Sequence, residues 1–295
     1  MKITFHEEQV KTALHPLKRK MPYQWDLNVY RGCQHGCRYC YALYSHKHYE
    51  NENFYTDIHV KTNIVDVLEK QLSAPSWSHE IINIGGVTDC YQPAENSYAF
   101  MPEILKLLIK YKTPAIISTK STLPLRDIAL IEELASYTYV NIASSVTTLD
   151  ERLRRGLEPA CAPTLERFKM LKEFSKTGAC TGLHLMPIIP YLTDSRENHE
   201  AIMKLAQEAN VKYALPGVMY LKGMTRPYFM TFVKDNYPKE YDLLQALYTR
   251  GGAGKQYKTD FYKMFNEIRD TYGISSSYSR PIKEGLDRQL SFLDV

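Results

Sequence analysis

Between about residue 25 and residue 220, short β-branched runs alternate with longer stretches whose apolar residues recur every three or four positions. This alternation restricts the chain to repeated βα units around a parallel sheet, because parallel neighbours cannot be joined by a tight hairpin and each needs a covering crossover. The strands expected are LNVY near residue 28, IINIGG at 81–86, AIIST at 115–119, YVNIASSV at 139–146, GLHLMPII at 182–189 and VKYALPGVMY at 211–220. MPEILKLLIKY, RDIALIEELASY, TLERFKMLKEFSKTG and NHEAIMKLAQEA supply amphipathic helices between them. Lys176, Thr177 and Gly178 read as a basic last turn and its glycine stop. After residue 225 the pattern loosens into a tyrosine-rich helical region, a GGAGK turn, one more helix at FYKMFNEIRDTYG and a polar tail.

The chemistry is concentrated in RGCQHGCRYCYA, which carries Cys33, Cys37 and Cys40. Three thiolates can hold three irons of a 4Fe-4S cluster and leave the fourth open, able to chelate a small molecule and pass it an electron. The competing reading is zinc, which would need a fourth ligand such as His35, His46 or His48. Paired CxxC hooks, the usual zinc arrangement, are absent from the sequence, so the spacing favours iron and sulfur.

Composition narrows the setting. The other cysteines, Cys90, Cys161 and Cys180, are scattered, which argues against a secreted disulfide framework and for a reducing compartment. No apolar run approaches the roughly 18 residues of a membrane helix, and no leader pattern opens the chain, so a cytoplasmic protein is expected. A formal net charge of +4 is compatible with a nucleic-acid partner without requiring one. The 23 tyrosines are an excess that can stack on bases or line a polar pocket as well as pack.

CxxxCxxC with Tyr39 just before the last cysteine, on a loop after the first strand of a βα series, resembles the radical S-adenosylmethionine (radical SAM) superfamily. GGVTDCYQPAE at 85–95, STKSTLPLRDI at 118–128 and SSVTTLDERLRRGLEP at 144–159 extend the likeness and are similar to the spore photoproduct lyase branch. The resemblance implies a partial (β/α)6 TIM-like barrel at 25–225, an N-terminal extension at 1–24, and a C-terminal helical cap and tail at 226–295. It further implies a 4Fe-4S cluster on Cys33, Cys37 and Cys40, with S-adenosyl-L-methionine at the open iron. Reductive cleavage would give a 5′-deoxyadenosyl radical that abstracts a substrate hydrogen.

On this resemblance the cofactor contacts are Tyr39, Gly85, Gly86, Asp89, Lys120, Ser144 and Ser145. The glycines would take the methionine amino group, Lys120 the carboxylate, and either serine a ribose or methionyl oxygen. Asp89 or Glu95 would hold a ribose hydroxyl or shape the substrate pocket. Cys90 stands where relatives outside the true lyases carry proline, and it is the expected hydrogen donor to a product radical, with Tyr91 or Tyr98 extending a relay. Glu158 and Pro159 read as a loop turn, Cys161 and Cys180 as packing residues, and Arg152, Arg154, Arg155, Arg167 and Lys169 as a basic surface.

The substrate expected is nucleic acid, as in repair of a DNA lesion; a small metabolite, a peptide or RNA is the alternative within the family. A zinc-containing nucleic-acid-binding module is the alternative outside it. Either enzyme reading needs an external one-electron reductant such as flavodoxin or ferredoxin. The tail residues Gln289, Leu290, Phe292 and Leu293 resemble a sliding-clamp docking peptide with its last two apolar anchors reversed.

Overall fold

The computed structural model describes residues 2–18, 21–47, 49, 52–279 and 281–282. The docking peptide at Gln289, Leu290, Phe292 and Leu293, and His48, lie outside the described residues. The chain opens with β1 (Thr4–Glu8) and β2 (Leu14–Pro16) and enters the main sheet at β3 (Trp25–Leu27). An excursion follows through β4 (Tyr30–Arg31), a 3-10 helix at Tyr41–His46, β5 (Asp57–Lys61) and α1 (Ile64–Leu72).

The alternation then runs through β6 (Ile82–Ile84), α2 (Glu95–Tyr98), α3 (Phe100–Lys110), β7 (Ala115–Thr119) and α4 (Ile128–Tyr137). It continues with β8 (Val140–Ser145), α5 (Glu151–Leu157), α6 (Thr164–Phe174), β9 (Cys180–Ile188), α7 (Arg196–Glu208) and β10 (Tyr213–Val218). Beyond it come α8 (Thr225–Asn236), α9 (Pro238–Leu247) and α10 (Lys255–Thr271).

Strands β3, β6, β7, β8, β9 and β10 pair in parallel and in chain order, with β2 antiparallel to β3 at the edge. Among the described residues β10 does not pair back to β3, so the six βα units form an open, partial barrel. A second sheet, in the order β1, β5, β4, sits on the excursion between β3 and β6.

Local chemistry explains the boundaries. The first strand stops at Leu27, short of the expected LNVY, because Asn28 turns its polar groups to other segments. Its Oδ1 accepts from Val87 N at 2.9 Å, and its carbonyl accepts from Lys61 Nζ at 2.5 Å. Helix α3 buries Met101, Ile104, Leu105 and Leu108 at three- and four-residue spacing, so one face meets the sheet. Cutting a fully buried leucine such as Leu108 back to alanine costs roughly 2–5 kcal/mol. Asp150 caps α5 by accepting from the backbone of Arg152 and Leu153, and Ser195 caps α7 through Asn198 N. The GGAGK turn is tied down, with Gly252 bridged to Tyr220 and Leu221 N donating to the Gly251 carbonyl at 2.7 Å.

Helix α10 is clamped to α7 through His199, a buried ring set edge-on to Phe261 at 5.3 Å and Phe265 at 5.4 Å. Among the described residues neither of its nitrogens has a hydrogen-bond partner, and burial holds its pKa at about 4. The unfolded chain, with a histidine near 6.5, therefore takes up the proton first. The contribution of His199 to stability is expected to be complete above about pH 6.5 and to fall by about 1.4 kcal/mol for each unit as the pH drops towards 4. Urea unfolding of His199→Leu should show that slope removed; an unchanged slope would contradict the clamp.

Candidate active site

The cysteine loop leaves β4 and is fastened from every side. Cys33 N donates to the Phe54 carbonyl at 3.0 Å, Arg38 N to the Leu157 carbonyl at 2.8 Å, and Ala160 N to the His35 carbonyl at 3.2 Å. Side chains complete the hold: Tyr55 donates to the Cys37 carbonyl at 2.6 Å and Thr225 to the Cys40 carbonyl at 2.8 Å. Arg38 reaches Tyr228 on α8 at 2.7 Å, so the helices after the barrel also position this loop.

Cys33, Cys37 and Cys40 open on one cavity of about 510 Å³ at the C-terminal ends of the strands. Gly85, Gly86, Asp89, Lys120 and Ser145 share its wall with His35, His184, Met186 and the rings of Tyr23, Tyr41, Tyr213 and Tyr278. Gly85 has φ +90°, where a side chain would be strained, and a Cβ on Gly86 would lie 2.9 Å from an oxygen of Asp26. Backbone is thus exposed to the cavity at the end of β6, and Tyr41 donates its hydroxyl to the Gly86 carbonyl.

Asp89 joins three segments. It accepts from His35 Nε2, from Thr119 Oγ1 and from the Lys120 backbone, all at 2.9 Å, while its other oxygen also takes Tyr91 N at 2.9 Å. Burial alone would raise its pKa, but His35 and these donors hold it near 2. Both ring nitrogens of His35 face acceptors, Asp89 and the Ala160 carbonyl, so this ring is a tether rather than a zinc ligand. Asp89 lies on the cavity wall with its oxygens accepting from His35, Thr119, Tyr91 and Lys120, so it shapes the pocket and ties its segments together.

A second buried network lies beneath the loop. Glu158 is 0% exposed and accepts from Tyr39, from Thr147 at 3.2 Å and from Arg167 at 2.5 Å. Arg167, equally buried, also donates to the carbonyls of Ala162 at 2.8 Å and Ser145 at 2.7 Å. Burial opposes ionisation of Glu158, yet Arg167 and Lys120 hold its pKa below the usual value. Burial likewise opposes charge on Lys120, and Cys37 and Glu158 outweigh it, so Lys120 keeps its proton. The Lys120 ammonium lies 5.8 Å from the Tyr39 ring centre.

Beside them the Cys161 sulfur lies 3.7 Å from that of Cys37, and this hydrogen bond draws the Cys37 thiol down while burial pushes Cys161 up. Cys161 packs against Cys37 and Tyr39 as expected, while Glu158, read as part of a turn, and Arg167, read as part of a basic surface, are buried beneath the cysteine loop.

Other expectations are corrected by position. Cys90, Tyr91 and Tyr98 do not line the cavity. Cys90 is buried in the hydrophobic core against the Val29 backbone, where burial pushes its thiol up to about 12. Tyr91 donates to Asp127 at 3.0 Å inside the same core, and Tyr98 stacks on Phe100. Ser144 faces inward to the Thr119 carbonyl, leaving Ser145 at the cavity, and the Tyr39 ring lies under the loop. Glu95 is buried and committed to Tyr30, Arg126 and the first turn of α3. Of the basic surface, Arg154 and Arg167 are buried, and exposed Lys169 pairs with Glu166.

The sequence profile of the radical SAM superfamily matches residues 27–206, more than half of the chain. The chain belongs to the radical SAM superfamily. It is 35% identical over 254 residues to an uncharacterized Mycobacterium tuberculosis protein, covering 84% of this chain and 75% of that one. An uncharacterized Methanocaldococcus jannaschii protein is 24% identical over 261 residues, covering 83% and 84%. Among solved structures, spore photoproduct lyase with bound S-adenosylmethionine and dinucleoside spore photoproduct superposes with a TM-score of 0.67. That match has 12% identity and covers 91% of this chain and 79% of the lyase, a likeness of fold.

This radical SAM enzyme uses a 4Fe-4S cluster and S-adenosylmethionine, and the residues present fit them. Three thiols from one short loop share a cavity with open glycine backbone and a retained ammonium at Lys120. The zinc-module alternative falls with the family assignment and with the commitment of His35. Among the described residues no helix is long and apolar enough to cross a membrane.

Proposed function

We propose that this radical SAM enzyme acts on nucleic acid, taking a hydrogen atom from a damaged or modified base of DNA. The carrying observation is the aromatic part of the cavity wall. Tyr23, Tyr41, Tyr213 and Tyr278 line the same cavity as the cysteines, and Tyr41 is 65% exposed. The exposed Tyr41 ring, with the half-buried rings of Tyr23 and Tyr278, suits a splayed base, each stack being worth about 1–3 kcal/mol. The likeness to spore photoproduct lyase, which reaches past the barrel to 91% of this chain, supports the same reading.

When bound, the cluster and S-adenosylmethionine supply a reductively generated 5′-deoxyadenosyl radical; an external flavodoxin or ferredoxin is the proposed electron source. The chain's own residues hold and orient. Cys33, Cys37 and Cys40 are assigned to the cluster, Lys120 to the methionine carboxylate, Gly85 and Gly86 to the amino group, and Ser145 to a cofactor hydroxyl. Hydrogen return is assigned to a hydroxyl on the cavity wall in place of Cys90, its O–H hydrogen atom passing to the product radical and the tyrosyl radical left behind taking an electron from the external reductant and a proton from solvent. Tyr213 is the candidate: its oxygen lies 3.0 Å from Asn141 Oδ1 and 3.3 Å from His184 Nε2. Burial, then Lys120, holds His184 at about 4, so that ring is neutral.

Lys120→Met is expected to weaken S-adenosylmethionine binding about tenfold or more in calorimetry of the cluster-loaded protein. Unchanged affinity would remove Lys120 from the cofactor site. The substrate reading is tested with reduced, cluster-loaded enzyme, S-adenosylmethionine and ultraviolet-irradiated or undamaged DNA. Lesion loss and extra 5′-deoxyadenosine with irradiated DNA alone are expected. Cofactor cleavage that no DNA or lesion alters would overturn the substrate reading and leave the radical chemistry standing.

A further inference from the structure

We propose that His46, Glu52 and His59 form a second metal site, separate from the cysteine loop, for a divalent cation of the zinc class. One ligand atom from each of the three lies within 4.8 Å of the others. His46 ends the 3-10 helix that follows Cys40, Glu52 lies on the next loop, and His59 is on β5. None of them lines the large cavity.

The proton count distinguishes this group from an ordinary hydrogen-bonded histidine pair. His46 Nε2 lies 3.0 Å from the Asp57 carbonyl, which can only accept, so the ring proton is on Nε2. In the neutral ring Nδ1 is then a bare lone pair, and among the described residues it is buried without a hydrogen-bond partner, in a residue only 4% exposed.

His59 turns both nitrogens to carboxylates, Nε2 to Glu52 at 2.7 Å and Nδ1 to Glu8 at 3.3 Å. Among the described residues the second oxygen of Glu8 is another buried acceptor without a donor. Even a doubly protonated His59 would leave His46 Nδ1 with nothing. Lone pairs exceed protons, and a cation resolves the excess.

The outer contacts match as well. A metal-bound histidine donates its other N–H to a carbonyl or carboxylate, which fixes the ring. The Asp57 carbonyl stands in that place for His46, and the Glu8 carboxylate for His59. The ligand atoms are then His46 Nδ1, His59 Nε2 and a Glu52 oxygen.

Two imidazoles and one carboxylate suit zinc better than magnesium or calcium, which prefer all-oxygen sets. Zinc bonds of about 2.0–2.1 Å place tetrahedral ligands about 3.3 Å apart, so His59 Nε2 and Glu52, 2.7 Å apart across their hydrogen bond, would separate slightly while His46 draws in. Glu52 is 22% exposed, which gives water access to the fourth position. The ion would tie β5 and, through Glu8, β1 to the segment that continues from Cys40.

The test uses the full chain with Cys33→Ala, Cys37→Ala and Cys40→Ala, so that the cysteine loop binds no metal. After exposure to zinc chloride and dialysis into metal-free buffer, about one zinc per chain is expected, with a raised melting temperature. His46→Leu added to that chain should abolish both. Glu52→Gln, a partly exposed loop change that leaves both histidines, should weaken zinc binding about tenfold or more with the circular dichroism unchanged.

The unsubstituted chain, with its thiols occupied by reconstituted cluster, should carry the same extra zinc. Absence of zinc in both backgrounds, or zinc indifferent to His46→Leu and Glu52→Gln, would overturn the proposal.

Discussion

Arg167→Met is expected to lower folding stability by about 3–5 kcal/mol, the cost of stranding one charge of a fully buried pair. Glu158 and Arg167 are each 0% exposed, and their contact is 2.5 Å. Without the guanidinium, Glu158 must take up a proton or disturb Tyr39, which donates to it from the cysteine loop. The carbonyls of Ala162 and Ser145 lose a donor as well. Glu158→Gln in the same chain removes the stranded charge and still accepts from Tyr39. The double variant should therefore show a coupling of about 1–3 kcal/mol in urea unfolding. Simple additivity of the two losses would mean that the pair is not the unit described here.

Asp89→Ala should have its largest effect on the cluster. It removes the acceptor shared by His35 on the cysteine loop, Thr119 at the end of β7 and the backbone of Tyr91 and Lys120. Each hydrogen bond to a charged group contributes about 1.5–3 kcal/mol, and buried donors left unpaired add to the loss. Iron retained after anaerobic reconstitution and desalting should fall to a small fraction of the normal content. Stability should fall with it, because β6 and β7 lose their common tie. Normal iron retention in Asp89→Ala would show that the loop is held by its backbone contacts alone.

The barrel could be read from the sequence because burial of parallel strands on both faces demands β-branched runs such as AIIST, and covering helices demand a helical period. The cysteine loop could be read because three thiols at that spacing have few other uses. What was hidden turns on which way single side chains point. In GGVTDCY the chain turns after Gly85, so Asp89 reaches the cavity wall and Cys90 enters the core; no periodicity covers a turn.

Ser144 and Ser145 differ by one step of a strand, which reverses the face. Arg154 and Arg167 sit on helices whose charged residues ordinarily face water, and only the fold brings Arg167 under Ser145 and Glu158. Cys161 is more than a hundred residues from Cys37 in sequence, and their sulfurs are neighbours because the loop after α5 packs on the cysteine loop.

The central claim is that the cysteine loop arms this cavity for reductive cleavage of S-adenosylmethionine. The most direct test is 5′-deoxyadenosine formation by anaerobically reconstituted, dithionite-reduced protein, beside the Cys33→Ala, Cys37→Ala, Cys40→Ala chain and with DNA added or withheld. The account predicts 5′-deoxyadenosine from the native chain in at least one DNA condition and none from the substituted chain. Iron-loaded, S-adenosylmethionine-binding native protein that forms none in any condition, or equal formation by the chain without its three cysteines, would contradict it.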